Sequence, residues 1–361
     1  MISLDGVKSV LVVKLSSIGD VVQSLPIAAA LRRRLPQAHL AWAVGPAAAE
    51  VVIGNPHLSE TLVVGGGRAE GPKVEVVPPL SAPLRLARAL RQRRFGLSLD
   101  MQGLLKSAWL AYLSGARDRI GFRNHQEGAF LLNNRSIVPD RRGVHAVEAY
   151  LGFADAVGAP REPLDFTIIT SEADQQVVRE LLQDHRNIVA LVPGARWLSK
   201  RWPAARFAQV ADALSSQFGC TGVVVGAAGD RPLAAEIVST ARSQILDLTG
   251  YTSLKQLAAL FRRCRAVVSN DTGPMYIASA VGAPTVAIFG PTDPVRLGPY
   301  GEGHAKVTAA APCAPCRRRN CQPLKCMELI SAEQVAAAAR RVMRDLIPGD
   351  AAWRPVSATQ A

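Results

Sequence analysis

The sequence predicts an α/β protein made of two doubly wound βα domains, and three observations carry that expectation. A chain of 361 residues exceeds what one hydrophobic core usually serves. Short aliphatic runs alternate with helical patterns through both halves, the signature of parallel sheets covered by helices. The composition is 48% apolar with only 5% aromatic, so the sheets must be built on Val, Leu and Ala. An eight-stranded barrel, typically ~250 residues, would leave too much chain over.

Taken in order, the first half offers strands at Val10–Val13, Leu40–Val44, Thr61–Val64, Val74–Val77 and Leu97–Leu99. The second offers Ile188–Val192, Gly222–Val225, Ile245–Leu248, Ala266–Ser269 and Thr285–Phe289. Val21, Val22, Leu25 and Ala28 recur at helical spacing after the first strand. "SEADQQVVRELLQDHRN" opens the second half as a helix behind the capping Ser171, which places the domain boundary near Thr170. "SAEQVAAAARRVMRDLI" reads as a late helix with Ser331 as N-cap and Glu333 or Gln334 in its first turn. The tail after Ile347 is expected to be disordered or loosely attached.

The net charge of +13 calls for an anionic partner: nucleic acid, an anionic lipid surface or a phosphorylated substrate. One concentration, "PLRLARALRQRRF" from Pro83 to Phe95, reads as a basic amphipathic helix that faces either a membrane surface or plain solvent. No apolar run reaches the ~20 residues of a membrane span. The start "MISLDGVKSVLVV" lacks a basic segment before its short apolar run and a clear cleavage site, so a cytoplasmic location is the expectation.

Familiar phosphate loops are missing. "VVGGGRAEG" breaks the G-x-G-x-x-G register at Glu70, and no G-x-x-x-x-G-K-[ST] occurs. Three other turns take their place. Asp271-Thr272-Gly273 stands between a strand and a helix, with Pro274 suited to the first helical turn, where small residues let a diphosphate approach free amides. "LVPGARWLSKRWP" runs from a strand through Pro193-Gly194 into a loop bearing Arg196, Lys200 and Arg201, cations suited to a leaving diphosphate. "VVVGAAGDRP" sets Asp230 after a strand and a small-residue turn, where an acid can accept ribose hydroxyls. The first alone also reads as an ordinary capped βα turn; as loops of one domain the three would share one sheet edge.

In the first domain "KLSSIGDVVQSLP" puts an acid, Asp20, where an apolar strand turns into a helix. A helix N-cap explains it. So does a ligand-facing role, since loops after strand C-termini are where open α/β sheets bind ligands.

Together "VLVVKLSSIGDVVQSLP", "LDMQGLLKSA", "PGARWLSKRWP", "SNDTGPMYIASAVGAPTVAIFGPTDP" and "CAPCRRRNCQPLKCM" resemble, in this order, glycosyltransferase family 9, the ADP-heptose:lipopolysaccharide heptosyltransferases. The resemblance runs from Val10 to about Ile347. Its first motif is closer to the heptosyltransferase I type and its cysteine tract to the II type. It implies a GT-B enzyme: two Rossmann-like domains facing across a cleft, residues 1–170 for the acceptor, residues 171–347 for the nucleotide sugar, and a tail at 348–361. It further implies an inverting reaction without metal or cofactor. The implied partners are ADP-heptose, the lipopolysaccharide core and an anionic membrane surface at the inner face of the inner membrane, with no nucleic acid.

By the same resemblance, Asp20 is the general base and Lys200 the catalytic cation. Pro193, Gly194, Ala195, Lys200, Gly226, Asp230, Asp271, Thr272, Gly273 and Tyr276 fall at the donor, and Ser17, Gly19, Gln102, Lys106, Arg119 and Arg123 at the acceptor. An inverting transfer needs a base opposite the leaving group and within reach of the acceptor oxygen, which an acid on the first domain's rim would satisfy. Tyr276 stands where the family often has histidine, and a phenol hydrogen-bonds a phosphate without carrying positive charge. Lys106, Arg119 and Arg123 are candidates for phosphate contact or plain surface cations. His145 and Glu148 in "HAVEAY" receive no chemistry, since their spacing also describes a surface pair.

Cys313, Cys316, Cys321 and Cys326 lie in one Arg-rich segment, zinc-like in the first C-x-x-C and unlike common fingers afterwards. Reduced thiols are the other reading. Cys220 and Cys264 flank strands as core filler. Two alternatives to heptosyl transfer stand: a family member using another nucleotide sugar or glycan, and a basic nucleic-acid-binding protein with a zinc knuckle. Against the second, no aromatic residues interleave the Arg run.

Overall fold

The computed structural model describes residues 4–67, 70–123, 127–138, 143–321 and 325–344, the side chain of Arg344 excepted. The chain divides between Ile169 and Thr170 into two compact units. The predicted tail at 348–361 lies outside the described residues.

The first unit carries strands β1 Ser9–Val13, β2 His39–Val44, β3 Glu60–Val64, β4 Val74–Val77, β5 Leu97–Asp100, β6 Asp118–Phe122 and β7 Arg135–Ile137. Its helices are α1 Ile18–Ser24, α2 Pro26–Arg34, α3 Ala49–Val52, α4 Pro83–Arg91, α5 Leu105–Leu113 and α6 Ala146–Ala156. All seven strands are parallel, in the order β4-β3-β2-β1-β5-β6-β7. β1 has all five residues buried, as a strand covered on both faces requires. Leu11 and Val13 pack with Leu86 and Leu90 of α4 and Leu110 and Ala111 of α5 on one face.

The second unit carries β8 Ile188–Val192, β9 Thr221–Val224, β10 Ile245–Asp247, β11 Cys264–Asn270, β12 Thr285–Phe289 and β13 Ala305–Thr308. Its helices are α7 Glu172–Leu182, α8 Ala204–Phe218, α9 Arg231–Thr240, α10 Leu254–Phe261, α11 Gly273–Ala280, α12 Pro294–Leu297, α13 Lys325–Glu328 and α14 Ala332–Arg344. The parallel order β10-β9-β8-β11-β12-β13 is the doubly wound arrangement of dinucleotide-binding domains. Ser171 caps α7 through the Asp174 amide at 3.1 Å, and Ser331 and Gln334 close a reciprocal cap on α14.

In each sheet the strand order reverses once, between β1 and β5 and between β8 and β11. At such a point adjacent βα loops diverge to opposite faces and leave a crevice at the strand C-termini. Asp20 and Gln102 follow β1 and β5, while Gly194 and Asp271 follow β8 and β11. Asp20, Gln102, Gly194 and Asp271 thus stand at the two places where doubly wound sheets take ligands.

Candidate active site

At the first switch point Ser17 is the N-cap of α1 and Asp20 its third residue. Asp20 is therefore not the N-cap that local sequence allows: its Oδ2 reaches back to accept from the Ser17 amide at 3.1 Å and the Ser17 hydroxyl at 2.7 Å. Its Oδ1 accepts from the Tyr150 hydroxyl at 2.9 Å. Lys14 Nζ lies 4.0 Å away and donates to Tyr150 Oη at 2.8 Å and to the Met101 carbonyl at 3.1 Å. The Lys14 side chain is 3% exposed and that of Asp20 40%, so the cation is sealed beneath an acid that still meets solvent.

The electrostatics follow from that layering. Burial pushes the Asp20 carboxyl up, but the Lys14 charge and the Ser17 and Tyr150 hydrogen bonds outweigh it and hold the group below the ordinary aspartate range. Burial lowers the Lys14 pKa, opposed by Asp20 and Asp100. The result is a carboxylate that stays ionised and keeps a face open.

Gln102 carries the β5 side of the crevice. Its Oε1 accepts from the Leu15 and Ser16 amides at 3.2 and 3.1 Å, so it braces the loop that bears Asp20. The fully buried Asp100 holds the Gln102 and Gly103 amides through Oδ1 and Asn133 Nδ2 through Oδ2. Gly19 is buried inside α1. Lys106 stands exposed on the first turn of α5, and Arg123 is exposed just past β6. Arg119, expected as a phosphate contact or a plain surface cation, is engaged within its own unit. Its guanidinium donates to the Leu132 and Ala116 carbonyls, both at 2.8 Å, and stacks on Tyr112, because three backbone and ring partners converge on it. His145 caps α6 by accepting from the Val147 amide at 3.2 Å, and Glu148 pairs with Arg161 at 2.7 Å.

At the second switch point two clusters meet. Pro193 follows β8, and its carbonyl accepts from Asn270 Nδ2 at 2.8 Å, which ties the β8 loop to the end of β11. A side chain on Gly194 would collide with the Asp230 carboxylate, and one on Gly226 would crowd the same group. Both positions therefore need glycine for close approach. Asp230 Oδ2 accepts from the Ala227 amide at 3.0 Å. The Ala195 carbonyl accepts from Arg201 Nε at 2.9 Å, which shapes the loop leading to Lys200.

Asp271 is 4% exposed and takes three bonds: Lys200 Nζ at 2.6 Å, Thr292 Oγ1 at 2.7 Å and Tyr276 Oη at 3.1 Å. It is a buried anchor rather than a group that meets an anion, and Lys200 is the charge it fixes at the loop edge. Lys200 Nζ also stands 4.6 Å from the centre of the Trp197 ring. Tyr276 turns its proton to Asp271, so the phenol is part of the anchor. Thr272 is the N-cap of α11, Gly273 its first residue, and the Thr272 side chain makes no capping bond.

The cysteine segment forms no metal cage among the described residues, where no group of three or more His, Cys, Asp or Glu is gathered to hold an ion. All six cysteines are free thiols, Cys313 exposed, Cys316 and Cys321 half-buried and Cys326 buried. Burial, and to a lesser degree Cys313 and Cys316 nearby, raises the Cys326 thiol. Cys220 and Cys264 are buried beside their strands.

Sequence reasoning missed Tyr150, Lys14 and Asp100. Lys14 and Asp100 carried a signal, a charged residue ending an apolar strand; Tyr150 carried none beyond its helical face.

Known proteins resemble this chain over most of its length. Residues 83–327 match the model of glycosyltransferase family 9 (heptosyltransferase). Lipopolysaccharide heptosyltransferase 1 of Pseudomonas aeruginosa is 30% identical over 322 residues, covering 86% of this chain and 87% of its own. Among solved structures, a glycosyl transferase family 9 protein from Veillonella parvula superposes with a TM-score of 0.79 at 23% identity, over 94% of this chain and 97% of its own. The E. coli ADP-heptose lipopolysaccharide heptosyltransferase II superposes at 0.77 and 23% identity, over 93% and 99%. The fold is the GT-B one of two Rossmann-like domains. On its matched residues and on this relative, the chain is a glycosyltransferase and belongs to glycosyltransferase family 9, the heptosyltransferase family.

Proposed function

We propose that this enzyme moves heptose from ADP-heptose to the inner core of lipopolysaccharide with inversion, Asp20 serving as general base. The observation that carries the reading is the half-open Asp20 carboxylate, held ionised over buried Lys14 at the first unit's switch point. Two of the named relatives are called lipopolysaccharide heptosyltransferases, and one of these is called an ADP-heptose enzyme, which supports this donor and acceptor.

In the proposed step an acceptor hydroxyl oxygen attacks the anomeric carbon while its proton passes to Asp20. The bond from that carbon to the β-phosphate oxygen breaks, and ADP leaves with the electron pair. A carboxylate with a lowered pKa is a weak base toward an alcohol at rest. It accepts the proton as carbon–oxygen bond formation acidifies the hydroxyl, so transfer and attack are concerted. On the donor side Lys200 and the first turn of α11 supply positive potential for the departing diphosphate. Asp230 is the acceptor for ribose hydroxyls. Pro193, Gly194, Ala195 and Gly226 shape the backbone around them. Ser17, Gly19 and Gln102 frame the base, and Lys106 and Arg123 offer charge to acceptor phosphates. The anionic acceptor and the +13 charge support cytoplasmic work at the inner face of the membrane.

The test is ADP release from ADP-heptose with truncated core acceptors. Asp20→Asn is expected to lose about 100-fold or more in turnover, with donor binding unchanged. Turnover within a few-fold of wild type would remove Asp20 as the base.

A further inference from the structure

The first unit carries an outward surface that the chemistry above does not use. On α5 the residues Leu105, Trp109 and Tyr112 form one stripe at helical spacing, and the Trp109 and Tyr112 rings stack with centroids 5.7 Å apart. Leu105 and Tyr112 are 46% and 44% exposed. The turn Ala129–Leu131 packs beside α5 and points Phe130 and Leu131 outward at 57% and 77% exposure. Next to α5 lies α4, whose outward residues are Leu84, Arg85, Arg88 and Arg91, with Leu84 87% exposed. Solvated helices do not usually gather large apolar groups in this way.

Charge says what covers them. Between Pro83 and Arg123 nine basic residues stand against two acidic ones, so this stretch holds seven of the chain's thirteen excess positive charges. Of the two acids, Asp100 is buried and Asp118 pairs with Arg117 and Arg135. Glu127 beside the patch accepts from the Leu105 amide at 3.3 Å. Aliphatic tips, an indole and a phenol set among arginines match the headgroup layer of an anionic bilayer, where amphipathic rings sit at the interface and guanidinium groups meet phosphates. Position agrees with that. Both helices begin at the C-terminal edge of the sheet, and α5 starts two residues after Gly103 in the loop that braces Asp20.

We propose that the outward face of α4, α5 and the Ala129–Leu131 turn docks on an anionic lipid bilayer and so sets the acceptor crevice against the membrane surface. This deepens the reading of a lipid-anchored acceptor, and its purpose rests on that reading; the binding itself does not.

The experiment is co-sedimentation of the full chain with phosphatidylglycerol–phosphatidylcholine vesicles and with phosphatidylcholine vesicles, without donor or acceptor. Wild type is expected on the anionic vesicles, releasing as salt rises. Phe130→Ser with Leu131→Ser should lower partitioning about tenfold or more by removing two inserted apolar groups. Arg85→Gln with Arg88→Gln should lower it by about tenfold on anionic vesicles only. Both double variants should keep wild-type turnover on a water-soluble truncated acceptor. If the serine pair lowers thermal stability, Leu131→Asn alone replaces it, with a several-fold loss expected. Wild type that ignores anionic vesicles, or variants that partition as wild type, overturn the proposal. A dimer dispersed by the serine pair with vesicle binding intact also overturns it, in favour of a second copy on this face. Vesicle binding that survives while no ADP is released from ADP-heptose condemns the proposed heptosyl transfer and leaves the docking surface standing.

Discussion

The Tyr150 hydroxyl lies 2.8 Å from Lys14 Nζ and 2.9 Å from Asp20 Oδ1, so one phenol joins a buried cation to the proposed base. It accepts from the lysine and donates to the carboxylate, which orients Asp20 and favours its ionised form. Tyr150→Phe keeps the ring and deletes both bonds. The folded pKa of Asp20, now depressed, should rise, and the acid limb of the kcat/KM profile should move to higher pH. Turnover at neutral pH should fall about three- to tenfold, the worth of one hydrogen bond to a charged group, with donor KM unchanged. A lower plateau with an unmoved acid limb would reduce Tyr150 to packing.

That relationship also marks where sequence legibility ended. Val10–Val13 and Thr285–Phe289 were readable because a strand buried on both faces is apolar throughout. β6, β7 and β13 were not, since Asp118–Phe122, Arg135–Ile137 and Ala305–Thr308 are short and carry polar residues at or near a sheet edge. Asp20 was legible because strand, turn and helix sit together between Ser9 and Ser24. Tyr150 arrives from α6, 136 residues beyond Lys14, and no periodicity encodes such a meeting. Asp271 was legible at its turn, but its burial beneath Lys200 was not, because that is a property of packing.

Gly194→Ala tests the donor crevice by shape. The added methyl would strike the Asp230 carboxylate and displace the acid or the β8 loop. ADP protection against heat unfolding should shrink, corresponding to affinity about tenfold weaker, about 1.4 kcal/mol. Full protection by ADP in the alanine variant would show that Gly194 and Asp230 lie away from the nucleotide.

His304 sets a stability window apart from catalysis. Burial, aided by Lys306, lowers its pKa from 6.5 to about 4, and its Nδ1 accepts from the Thr285 amide at 3.2 Å. The folded state keeps the ring neutral while the unfolded chain takes a proton below about pH 6.5. Unfolding free energy should therefore fall as pH drops from about 6.5 to about 4, by about 3 kcal/mol, and level off below. In His304→Gln an uncharged acceptor remains, and this part of the pH dependence should flatten in urea unfolding. An unchanged slope would mean that other groups produce it.

Lys200 and Asp271 lend themselves to a double-mutant cycle, because fold and function pull their substitutions apart. Lys200→Met strands a carboxylate that is 3% exposed and should cost about 2–4 kcal/mol of stability. Asp271→Asn leaves Lys200 at the loop edge without its counter-charge, with a smaller stability loss because that side chain is 16% exposed. The double variant buries no unpaired charge and should regain most of the stability lost by Lys200→Met. Donor binding should not follow: both variants lacking Lys200 lose the cation for the diphosphate, so their ADP affinity should remain at least tenfold weak by calorimetry. Affinity recovering in step with stability would mean that Lys200 serves only to neutralise Asp271, and the positive charge for the leaving group would have to come from elsewhere on the rim.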